Sequence, residues 1–108
     1  MNSHSRSGEV WIGLAEVRQR AGAGALLDRN QALVNVLAIA IDEHQFSQIV
    51  RATLDGRGFD LIQLEDPEPF AQRAEQFTVA EELLRLAEEV CRTGLPQFGT
   101  FHTWVSDE

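Results

Sequence analysis

The ten residues from Ala32 to Ile41, ALVNVLAIAI, decide how the rest of the chain must be arranged. Only Asn35 interrupts them with a polar side chain. A half-exposed strand alternates apolar and polar residues, because successive side chains point to opposite faces. A run that is apolar at both parities belongs instead to a central strand buried on both sides.

Immediately after this run the period changes from two to 3.6. Asp42 stands where an N-cap belongs, with Gln45 three residues on, a capping-box arrangement. Phe46, Ile49, Val50, Thr53 and Leu54 then fall on one helical stripe, and Gly56 and Gly58 end it. Residues 59–65, FDLIQLE, read as the next strand. Strand, helix and strand in close succession predict a parallel unit with a right-handed crossover. Pro67 and Pro69 are expected to stop that second strand, since neither can donate to a ladder.

Upstream, residues 9–18, EVWIGLAEVR, place Val10, Ile12 and Leu14 on one side and Trp11, Ala15 and Val17 on the other. This is a further strand with two apolar faces. The Ala/Gly stretch 21–25 opens a loop running to about residue 31, and residues 1–8 read as a disordered tail. Downstream, residues 70–77 hold a short helical turn. Thr78 and Glu81 then form a capping box for a helix whose stripe is Ala80, Leu83, Leu84, Ala87, Val90 and Cys91. Gly94 and Pro96 stop it, and FGTFHTWVS supplies a last strand. The expected class is α+β: a two-layer sandwich with a mixed four-stranded sheet in the order β-β-α-β-α-β and two main helices on one face. Residues 9–108 form a single domain, which at this length needs no disulfide or metal to fold.

Composition narrows function. The formal net charge is −8, and it is uneven: residues 42–108 carry fourteen acids against five arginines, while residues 1–41 are nearly balanced. Such a field repels phosphate backbones and disfavours nucleic-acid binding. No apolar run approaches the ~20 residues that span a bilayer, and the polar start, MNSHSRSG, lacks the apolar core of a secretory signal. The single cysteine, Cys91, excludes an internal disulfide and a thiolate cluster, and the natural compartment is the cytoplasm. On the apolar stripe it reads as a core thiol.

Three carboxylates crowd the end of the third strand, in Gln63-Leu64-Glu65-Asp66-Pro67-Glu68. By alternation Asp66 and Glu68 point together, roughly 6.5–7 Å apart, and Glu65 points the other way. A hard cation wants six or more oxygens, and this stretch offers no calcium-loop spacing, so no metal is assigned. The spacing suits contacts to a basic partner's side chains. His102, between Thr100 and Trp104 at alternate positions, defines an alternative face that could stack and hydrogen-bond a small ligand. No nucleophile elbow, phosphate loop or cofactor motif is present. Two functions of different class follow. One is a non-enzymatic interaction module that binds a basic protein through Asp66, Glu68 and Glu65, an immunity-type inhibitor being one version. The other is a small-ligand-binding or catalytic domain built on Thr100, His102 and Trp104. A homodimer is compatible with both.

Overall fold

The fold comes from a computed structural model that describes residues 8–20, 31–76 and 78–104. The tail expected over 1–8 and the loop expected through residue 31 lie largely outside the described residues. The chain is α+β, with β1 (Glu9–Gln19), β2 (Gln31–Ala40), α1 (Glu43–Asp55), β3 (Phe59–Pro69), α2 (Phe70–Gln76), α3 (Glu81–Thr93), β4 (Gln97–Phe98) and β5 (His102–Trp104).

The strands run β3-β1-β2 across the sheet, and β4 and β5 follow one another along the far side of β2. Every pairing is antiparallel, so the mixed sheet expected from the sequence is corrected. The physical reason lies in β1. With apolar side chains at both parities it must be covered on both faces, and it takes an interior position between β2 and β3. Its register sets Glu9 against Ala40 and Arg18 against Gln31 on one side, and Trp11 against Pro69 and Gln19 against Phe59 on the other. β2 and β3 do point the same way, but β1 separates them, and α1 passes over it. This is a split βαβ unit in place of two adjacent parallel strands.

The helices divide between the two faces, a second departure from the expected layering. Even-numbered residues of β2, from Ala32 to Ala40, join Ala15, Val17, Phe46, Val50 and Leu54 in one buried cluster beneath α1. Leu37, at the other parity, packs with Ile12, Ala87 and Val90 in a second cluster beneath α3. The apolar run of β2 is thus covered on both faces, fully beneath α1 and around Leu37 beneath α3, while Ile41 beyond the strand is exposed. A strand with one wet face could not have accepted α3.

Local capping follows the sequence in part. The Asp42 carboxylate accepts from the Gln45 amide at 2.8 Å, and the Gln45 side chain accepts from the Ile41 amide at 2.8 Å. The Asp42 half of the expected capping box forms, and the Gln45 side chain reaches one residue further back than the box requires, to Ile41 instead of Asp42. The box expected at Thr78 and Glu81 does not form: Ala80 is the N-cap, with no side-chain bond, and α3 begins at Glu81. Gly94, at φ 76°, closes α3 in the left-handed conformation that glycine accommodates. The last strand is broken in two: between the Phe98–Val36 and His102–Leu33 pairs three residues stand against two, and the Gly99 amide still bonds the Asn35 carbonyl.

At Gly13 the β1 backbone lies close under both α1 and a β3 side chain. A Cβ there would lie 3.0 Å from Phe46 Cε2 and 3.0 Å from Leu64 Cδ1, and the Phe46 ring is fully buried. Gly13→Val is expected to cost about 1–3 kcal/mol through overpacking. Gly56→Ala, at an ordinary helical φ of −67° where a Cβ would make only ordinary contacts of 3.7 Å to the Ala52 and Thr53 carbonyl oxygens, should gain about 0.4–1 kcal/mol. Urea unfolding at unchanged m-value checks both; equal effects at the two glycines would contradict the packing described.

Candidate functional site

The acidic stretch is a kinked edge strand. β3 continues through both prolines to Pro69, past the expected stop at residue 65. An edge strand tolerates proline because one side of its ladder has no partner. The register shows how the chain passes them: Ile12 faces Glu68 and Leu14 faces Glu65, so two β1 positions span three on β3. The surplus is a β-bulge at Asp66-Pro67 opposite Gly13. Asp66 takes φ 51°, and among the described residues it is the one non-glycine with positive φ. Aspartate tolerates this conformation better than most residues, although a following proline favours extended backbone.

The bulge changes which carboxylates belong together. Ile12 and Leu14 share a face, so their partners Glu68 and Glu65 share it too. The alternation expected from an unbroken strand, Asp66 with Glu68 and Glu65 opposite, is lost at the extra residue. Glu65 and Glu68 are half-buried, and Asp66 is exposed at the apex. Glu68 is already engaged, with Arg73 of α2 donating from Nε to its Oε2. The same guanidinium reaches the Asp66 carbonyl oxygen at 3.3 Å.

Other arginines neutralise other acids. Arg20, at the end of β1, bridges Asp55 and Asp60 and donates to the Phe59 carbonyl. Its hydrogen bond to Asp60, with Asp55 adding to it, raises the guanidinium pKa above the ordinary arginine value. Arg92 pairs with Glu89 one turn back on α3; their hydrogen bond holds Glu89 below the usual carboxylate range and raises Arg92. The Asp66 carboxylate meets no such cation among the described residues.

A cleft of about 760 Å³ opens beside the bulge. Leu14 and Asn35 of the sheet form one wall, Asp66 to Glu68 another, and Gln72 and Arg73 of α2 a third. Thr78, Val79 and Leu83, at the entry to α3, close the far side. Asn35, the polar interruption in β2, therefore borders this space. Sequence reasoning placed the acids but missed the cleft, since α2, the bulge and Asn35 meet only in three dimensions. Among the described residues no group of three or more His, Cys, Asp or Glu side chains comes together.

The alternative face is placed differently. β5 sets His102 against Leu33 and Trp104 against Gln31, with His102 exposed. Thr100 precedes the strand, and its hydroxyl donates to Glu82 of α3 at 3.1 Å. The Trp104 side chain lies outside the described part of the structure.

Cys91 is exposed, a correction to its assignment as a core thiol. The buried centre of α3 is Ala87 and Val90, flanked by Leu83 and Leu86. Leu84 and Cys91, seven residues apart on the helix, fall on the rim of the stripe and line a shallow apolar groove with Val10 and Phe70. No helix among the described residues is long and apolar enough to cross a membrane. No protein-family model matches this chain, and neither a curated protein nor a solved structure matches it.

Two measurements check the geometry. Alanine is normally at least as stable as glycine, but at φ 51° the order should invert. Asp66→Gly is expected to exceed Asp66→Ala by about 1 kcal/mol in urea unfolding; the ordinary order would mean the bulge is not as described. Cys91 should react with a maleimide in the folded protein nearly as fast as in denaturant, whereas protection of 100-fold or more would mean that it is buried.

Proposed function

We propose that this chain is a small acidic cytoplasmic interaction module, without catalytic activity of its own, that binds a basic protein partner. The observation that carries the proposal is Asp66, an exposed carboxylate on a bulge of an edge strand with no ion pair among the described residues, while Glu68 beside it is paired with Arg73. Glu65 and Glu68 extend the negative surface along the same strand. Complementary charge steers association and selects partners more than it adds raw affinity. A module of this kind therefore needs a protruding charge, and the kinked strand supplies one. An immunity-type inhibitor of a basic toxin is a concrete version, and self-association into a homodimer is compatible with it. The ligand-binding alternative around Thr100, His102 and Trp104 has less support, because the Thr100 hydroxyl is already bonded to Glu82.

The test is affinity capture from the source cell over a range of salt concentrations, comparing wild type, Asp66→Arg and Glu88→Arg. Glu88 is an exposed acid on α3 that does not line the cleft beside the bulge. Wild type and Glu88→Arg should retain the same basic partner, and Asp66→Arg should lose it by tenfold or more, since like charges brought together at an interface cost several kcal/mol. Equal retention by all three, or no basic protein retained by wild type, refutes the proposal.

A further inference from the structure

We infer that the cleft beside the Asp66 bulge is a receptor for one arginine side chain, so that the partner is recognised through an inserted guanidinium. The inference rests on the interaction reading above and specifies its chemistry. Three features of the cleft converge on this ligand.

The first is shape and lining. Leu14, Val79 and Leu83 line the cleft together with three residues that carry acceptors, Asp66, Glu68 and Asn35. A lining that mixes apolar side chains with acceptors fits a side chain with a methylene stem and a charged head. The second is charge. Two carboxylates and one arginine border the cleft, a net of one uncompensated negative charge, which calls for a monocation.

The third feature is an internal precedent. Arg73 lies against the same wall, giving Nε–H to Glu68 and a terminal N–H to the Asp66 carbonyl. The wall thus already binds a guanidinium through one carboxylate and one main-chain oxygen. A second guanidinium would meet the remaining acceptors, Asp66 Oδ and the Asn35 amide oxygen. A planar fork with five donors can serve acceptors at fixed separations, and its weak hydration lowers the cost of entering a partly apolar cleft. A lysine ammonium, compact and strongly hydrated, fits less well.

The test is a titration followed by amide nuclear magnetic resonance shifts, using N-acetyl-arginine methylamide, N-acetyl-lysine methylamide and sodium acetate as probes. Wild type, Asp66→Asn and Arg73→Ala are compared, each first shown to be folded by its dispersed spectrum. The blocked arginine should give saturable shifts at Leu14, Asn35 and Val79, with a dissociation constant on the order of 1 mM, as expected for so small a ligand. Lysine should bind at least fivefold more weakly, Asp66→Asn should weaken arginine binding at least fivefold, and Arg73→Ala should leave it intact or tighten it. The assignment is overturned by absent or non-saturable shifts, by equal arginine and lysine binding, or by acetate binding that disappears in Arg73→Ala, which would mark an anion site. The two proposals fail separately. Capture that depends on Asp66 with no arginine in the cleft keeps the interaction module and removes the receptor. Arginine in the cleft with no basic partner captured does the reverse.

Discussion

The structure depends on burying both faces of β1. A strand apolar at both parities is unstable at the edge of a sheet with one wet side, so it must have neighbours on both flanks and helices above and below. From that requirement follow the placement of β2 and β3 on either side of it, the passage of α1 over it and the need for α3 on the opposite face. Phe46 and Val90, fully buried on opposite sides of the sheet, mark the two halves of the core that β1 and β2 separate. Gly13 is the local cost of this arrangement, a position where a strand residue gives up its side chain so that α1 can approach.

Much of this was legible in the sequence. The strand-strand-helix-strand-helix-strand order, the Asp42 cap and the Gly94 stop all follow from periodicity and capping chemistry, which act over a few residues. The pairing of strands was not legible in the same way. Strand-helix-strand predicts neighbours, and nothing local in β2 or β3 says that β1 will come between them. The information was present in the two apolar faces of β1, but it specifies burial and not a partner. The helix layering failed for the same reason. An apolar stripe shows that α3 needs a face, and only the unfilled side of Leu37 and Ile12 shows which.

The site illustrates the limit more sharply. Pro67 and Pro69 cannot donate to a ladder and were expected to end the strand, yet the chain answers them with a bulge and continues to Pro69. One surplus residue re-phases everything after it, so a carboxylate assignment based on alternation fails at Glu68. The same device limits β3 as an edge. Two register shifts in its ladder with β1 bend the strand, and Pro67 and Pro69 each lack an N–H, which discourages another strand from adding to it. Asp66 therefore stands on an edge that resists sheet extension, and side-chain recognition remains the available mode of contact.

The split crossover also bears on how the chain folds. β1 and β2 are near in sequence and can zip together early, but β3 returns to β1 only after α1 has been laid across the pair. The contact of Trp11 with Pro69 closes a loop spanning more than half the molecule. Contacts of such separation lose most chain entropy before they return any stabilisation, and they set slow rates. The β1–β3 seam is thus the late event of folding, and its amides should exchange with solvent before those of the β1–β2 ladder. The strand that carries Asp66 is the last to be secured and the first to loosen.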